Sequence, residues 1–227
     1  ILKKPSHSSV LEPNNKFINL FPLRHPEGFE LDYKLTVDAC NLDYLDINEK
    51  DFMKIDVQGY ELKVLKGAES SLKELLGLEI EIDFGELYKN QCSFGEINEY
   101  LTQHDFTFID FTSLTRWERN SAKNTIGQCI GGDALFLKTP EYIHSKYEVN
   151  SEKLAVYLSI CLIYKRYDLI STSVKLFGIE NTTEYSEFLK VSNILRRRLN
   201  IADRLSRISN HIIRFFIPDA DSTIMFY

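Results

Sequence analysis

Residues 51–84 restrict the folds open to this chain more than any other stretch. Asp51-Phe52-Met53-Lys54-Ile55-Asp56-Val57 is a short apolar run that ends on an acid, and it reads as a strand. Gln58-Gly59 follows as a tight turn. From Glu61 to Leu76 the residues Leu62, Leu65, Ala68, Leu72 and Leu75 recur at helical spacing and line one face. Leu78-Glu79-Ile80-Glu81-Ile82-Asp83-Phe84 then alternates apolar and acidic side chains, the period of a second strand. Strand, turn, helix and strand with short links make a βαβ unit, whose strands run parallel.

The pattern continues downstream. Ser93 with Glu96 three residues on forms a capping box, opening a helix to about Gln103 with Phe94, Ile97 and Leu101 inward. Phe106–Phe111 reads as a third strand, Thr112–Gln128 as a polar loop, and Ala134–Leu137 as a fourth strand. No helix separates the last two strands, so they are expected to pair antiparallel at one edge of a mostly parallel sheet. Upstream, Pro5, Pro13, Pro22 and Pro26 punctuate an irregular stretch, with a short strand expected at Lys16–Leu20 and a short helix or turn at Val37–Asp46. After Pro140 the chain reads as helical over Leu154–Tyr164, Leu169–Phe177 and Tyr185–Phe216, with Gly178 as a stop. This divides the chain into residues 1–140 and a helical region, 141–227, expected to pack on the sheet or to mediate self-association.

Composition removes several classes of function. The 227 residues carry a formal net charge of -6, which argues against broad nucleic-acid binding. Cys40, Cys92, Cys129 and Cys161 are widely spaced, a poor disulfide or zinc framework, and point to reduced thiols in the cytoplasm. No stretch is apolar for long enough to span a membrane. The five histidines are scattered without metal spacing, and Trp117 reads as a surface anchor rather than a stacking platform.

The run from Phe52 to Ala68 resembles the signature of FkbM-type methyltransferases. There a strand ends in Lys, Ile or Val, Asp, Val or Ile, Glu or Gln, then Gly, followed by an acid and a Val-Leu-x-Gly-Ala helix. Glu79-Ile80-Glu81 with Leu87-Tyr88, Phe106–Phe111 and Gly132-Asp133-Ala134-Leu135-Phe136 resemble the family's later strands, with Asp105 where a glycine is usual. Ser8-Ser9 resembles a serine pair after the family's third strand, and Val37-Asp38 its Leu-Asp before the signature. The resemblance runs over residues 6–139. It implies an α/β fold with part of a Rossmann-like methyltransferase sheet, S-adenosyl-L-methionine as cofactor, and a hydroxyl on a sugar, glycolipid or secondary metabolite as acceptor. Family members hold the cofactor with a glycine loop after their first strand and an acid after their second. Neither precedes Ser8, so this chain is expected to hold the C-terminal portion of the domain and, isolated, to bind cofactor poorly.

Ligands of open α/β sheets sit beyond the carboxyl ends of the strands, where Asp56 lies. Methyl transfer to a hydroxyl needs alignment and a proton acceptor, which makes Asp56 the first catalytic candidate and Glu81 the second. The resemblance places Asp56, Gln58 and Gly59 against the cofactor, and Lys54, Glu61, Ser8 and Ser9 against the acceptor. Each has a plainer reading. Asp56 or Glu61 would cap backbone N–H groups at the next helix, Gly59 would only permit the turn, and Lys54 would pair with Asp56. Another possibility for the whole chain is a non-catalytic interaction module derived from the same fold.

Overall fold

The computed structural model describes residues 1–45, 47, 50–121, 125–149, 152–183, 185–190 and 193–194. The N-terminal stretch is a string of short turns: 3-10 turns at Pro5–His7, Pro22–Arg24, Pro26–Phe29 and Leu42–Tyr44, and the one-turn helix α1 (Asn15–Ile18). Helix α1 stands where a strand was expected, because the Asn14 side chain accepts from Phe17 N (3.3 Å) and turns the chain there. Ile18 of α1 and Phe21 and Phe29 farther along the stretch pack against Leu87, Tyr88 and Ile130. Trp117 joins them edge-on, 5.4 Å from Phe21 and 6.2 Å from Phe29, so it anchors this layer from within.

The signature segment gives β1 (Phe52–Ile55), α2 (Glu61–Lys66), α3 (Glu69–Leu72) and β2 (Gly77–Asp83). One helix was expected across Glu61–Leu76, and the structure breaks it at Gly67-Ala68. The cause lies far back in the chain. The Asp43 carboxylate accepts from Ser70 N (2.7 Å) and Ser71 N (2.9 Å), capping α3 from outside. Helix α4 (Phe94–Thr102) carries the expected capping box of Ser93 and Glu96. Then come β3 (Thr107–Phe111), β4 (Thr115–Trp117), β5 (Gln128–Leu137), α5 (Pro140–Lys146), α6 (Glu152–Ile163) and α7 (Tyr167–Phe177).

The sheet runs β1-β2-β5-β3, with β4 against the start of β5. Strands β1 and β2 are parallel, and β5 is antiparallel to β2, β3 and β4. Four strands therefore point one way, and β5 runs back between β2 on one side and β3 and β4 on the other. The antiparallel pairing at that edge is present, with β3 outermost and β5 one place in. The segment read as a polar loop contains β4, because Gln128–Gly131 extends β5 beyond its apolar half and offers a backbone to pair with.

Alternation along β2 separates the two faces. Leu78, Ile80 and Ile82 join Ala134 and Phe136 in a core with α2, α3 and α4. On the other face Leu135 and Leu137 pack with Leu154, Tyr157, Leu158 and Cys161 of α6 and with Ile143 of α5. Each such leucine contributes about 1.5–3 kcal/mol through burial. The apolar stripe of α6 is thus spent on the sheet. Helix α5 is additional to the sequence reading: Thr139 caps it and Pro140 opens it. Gly178 ends α7 in the left-handed conformation, φ 63°. Of the helix read over Tyr185–Phe216, only 185–190 and 193–194 fall within the described residues, which are helical there. All four cysteines are free thiols. Among the described residues no helix is long and apolar enough to cross a membrane.

Candidate active site at the carboxyl ends of β1 and β2

The acids of β2 share the face opposite the α2–α4 core. Only the lower part of that face is covered by α6, so Glu79, Glu81 and Asp83 approach the carboxyl end of the strand beyond the apolar packing. The parallel register pairs Lys54 with Glu79 and Ile55 with Ile80, and its continuation brings Asp56 beside Glu81. On the other side of β2, Glu81 stands opposite Asp133 of β5. Asp56, Glu81 and Asp133 thus form a row across three strands.

Gln58 joins two members of that row. Its Nε2 donates to Asp56 Oδ1 (2.9 Å) and to Glu81 Oε2 (2.6 Å). Its Oε1 lies 2.9 Å from the Tyr88 hydroxyl, which is also 2.7 Å from the His7 carbonyl oxygen. Ser9 Oγ donates to the Gln58 carbonyl (2.7 Å), tying the N-terminal stretch to this turn. Asp56 itself is exposed.

Burial and crowding set the proton positions. Glu81 is pushed up to about 9 by burial, by its hydrogen bond with Asp56 and by the negative charges of Asp83, Asp56 and Glu61. Asp83 rises to about 7 through burial and the charges of Glu61 and Asp56. At neutral pH Glu81 therefore holds its proton beside an exposed carboxyl at a strand end, an arrangement suited to general acid–base work.

Other sequence candidates fall in different places. Glu61, 3% exposed, spends Oε1 on Val57 N (3.2 Å) and Gly59 N (3.0 Å). It closes the turn, the capping task that Asp56 was also a candidate for, and burial raises its pKa against the pull of those N–H groups. Gly59 is left-handed (φ 92°), and the space beside its Cα is filled by Gln91, Leu11 and Tyr88, so its freedom serves packing. Lys54 does not pair with Asp56. Strand alternation and register aim it at Glu79 Oε1 (2.6 Å) and Asp133 Oδ1 (2.5 Å). Burial opposes its charge, but those two carboxylates outweigh it and hold Lys54 above the usual lysine range. Ser8 Oγ accepts from Leu2 N (3.0 Å) and is spent on the N-terminal stretch.

Asp83, Tyr88, Asp133 and Ser113 were not singled out as site residues from sequence. Asp83 shares Glu81's strand face, a signal the alternation already carried. Ser113 Oγ reaches Asp133 Oδ2 (2.6 Å) because Gly132 lets the loop lie on β5; a Cβ there would sit 2.2 Å from the Ser113 carbonyl oxygen. That contact is legible only in three dimensions. Among the described residues no group of His, Cys, Asp and Glu is arranged to hold a metal ion.

Residues 8–108 match the family described as the methyltransferase FkbM domain. The matched segment contains β1, β2, Asp56, Gln58 and Glu81, so the family match and the acid cluster coincide. It supports a methyltransferase in general. No curated protein and no solved structure matches the chain.

Proposed function

We propose that this chain, whose residues 8–108 are of FkbM methyltransferase type, serves S-adenosyl-L-methionine-dependent methylation of a hydroxyl on a sugar, glycolipid or secondary metabolite. The observation that carries the reading is the exposed Asp56 at the end of β1, hydrogen-bonded through its neighbours to a proton-holding Glu81. The donor brings a methyl carbon activated by a positively charged sulfur. The exposed Asp56 carboxyl at a strand end suits such a cation, and Asp56 with the Gln58-Gly59 turn are the groups to hold it.

With the donor bound, Asp56 would take the acceptor's hydroxyl proton while the methyl carbon passes from sulfur to the acceptor oxygen, the electrons of the broken carbon–sulfur bond staying on sulfur as a neutral thioether. Glu81, already protonated, adds no second charge beside it, so one base can work at neutral pH. Lys54, bridging Glu79 and Asp133, and Ser9 supply polar groups around the acceptor; alignment of the two reactants gives much of the rate. The free thiols of all four cysteines fit work in a reducing compartment such as the cytoplasm.

Asp56→Asn keeps the shape and removes the base. Methyl transfer by the natural full-length protein is expected to fall about 10²–10⁴-fold. An unchanged rate in a folded Asp56→Asn protein removes Asp56 from the chemistry.

A further inference from the structure

We infer that Gln58 is a positioning residue, whose side-chain amide spans Asp56 and Glu81 and holds the two carboxyls as one hydrogen-bonded pair. Resting on the methyl-transfer reading, this assigns to the amide a task distinct from cofactor contact. Both of its N–H groups point at carboxyl oxygens, Asp56 Oδ1 at 2.9 Å and Glu81 Oε2 at 2.6 Å. Its carbonyl oxygen faces the Tyr88 hydroxyl at 2.9 Å. This orientation gives both carboxyls a donor and turns the amide oxygen to the Tyr88 hydroxyl; a flipped amide would aim its oxygen at Asp56 Oδ1.

The backbone is held as firmly as the side chain. Gln58 has φ 55°, a left-handed conformation that costs a non-glycine residue of this shape and is kept at sites where the surroundings enforce it. Ser9 Oγ enforces it by donating to the Gln58 carbonyl, and Ser9 is fixed in turn by accepting from Leu11 N (3.0 Å). The Tyr88 ring is fully buried among Phe29, Ile18 and Leu87. The N-terminal stretch therefore reaches the acids through Ser9 and Tyr88, with Gln58 as the last link.

The charged groups around Glu81 come from every neighbouring element: Asp56 after β1, Glu61 at the start of α2, Asp83 on β2 itself and Asp133 opposite on β5, with Lys54 paired to Asp133 and the Tyr88 hydroxyl bonded to Gln58 just beyond them. The Gln58 amide touches Asp56 and Glu81 together. Donating to a carboxylate favours its ionised form, so losing the amide raises the carboxyl's midpoint.

The test is carboxyl ¹³C NMR of the full chain labelled at Asp and Glu, titrated from pH 4 to 11. Wild type is expected to give a resonance titrating near 9 that Glu81→Gln removes. Gln58→Leu should raise that midpoint by about one pH unit, and Tyr88→Phe by less in the same direction, since the amide keeps its reach but loses its anchor. Tyr88→Phe decides alone if Gln58→Leu does not fold. A midpoint that stays or falls in every folded variant overturns the assignment, as does the absence of a Glu81 resonance titrating above pH 7. The titration involves no methyl donor. Failed donor binding with a shifted midpoint would sink the methyl-transfer reading and leave the positioning of the pair intact.

Discussion

Asp56 and Glu61 sit five positions apart around the same turn and perform different tasks. Glu61 is buried and bonded to two backbone N–H groups, whereas Asp56 is exposed. Glu61→Ala leaves those N–H groups without a partner and is expected to cost about 2–4 kcal/mol, read as a lowered midpoint in urea unfolding; a change under 0.5 kcal/mol would contradict it. Glu81 makes stability depend on pH. An ordinary glutamate releases its proton near 4.5, and folded Glu81 keeps it to about 9. Between those values the folded form binds the extra proton, so stability falls as pH rises through the window. Asp83 adds to the fall between 3.8 and about 7. Glu81→Gln should match wild type at pH 5 and melt a few degrees higher at pH 9. Identical melting curves at both pH values would mean that Glu81 ionises normally. The sequence showed Asp56 and Glu81 because each ends or lines a strand with a clear period. It assigned Glu61 both capping and acceptor contact, since one spacing serves either; the bonds to Val57 N and Gly59 N show the capping.

At the scale of elements, local signals were legible and long-range ones were not. Alternation marked β2, and Ser93-x-x-Glu96 marked the start of α4. Ser93→Ala should therefore destabilise by about 1 kcal/mol in thermal melts, with no loss expected if the cap is idle. The break between α2 and α3 depends on Asp43, 27 residues before Ser70, and no window of helical periodicity contains it. Strand β4 is a polar three-residue segment that exists through pairing with β5, so its own composition gave no sign. Gly132 is where this pairing meets the site. Gly132→Ala would push its Cβ into the Ser113 carbonyl, 2.2 Å away, and lift the loop from Asp133. The expected cost is about 1–3 kcal/mol, with the Ser113 amide shift displaced in NMR spectra; an unmoved Ser113 signal would contradict the account.

At the scale of the whole molecule, one sheet serves two cores and a site. The face toward α2–α4 is closed. The opposite face is covered by α5–α7 at one end and bears Lys54, Glu79, Glu81, Asp83 and Asp133 at the other. Leu135 lies in the middle of this arrangement, fully buried under α6. Leu135→Ala is expected to cost about 2–5 kcal/mol. Helical circular dichroism and the fluorescence of the single tryptophan, Trp117, should lose structure in one coincident transition, because sheet and helices share that core. The joint claim of fold and site is that the acids at the carboxyl ends of β1 and β2 receive a cationic methyl donor. Calorimetric titration of S-adenosyl-L-methionine into the natural full-length protein tests it most directly, with Asp56→Asn alongside. Saturable binding by wild type, weakened about tenfold or more in Asp56→Asn, is the expected result. No binding by wild type, or equal binding by both proteins, would contradict the account.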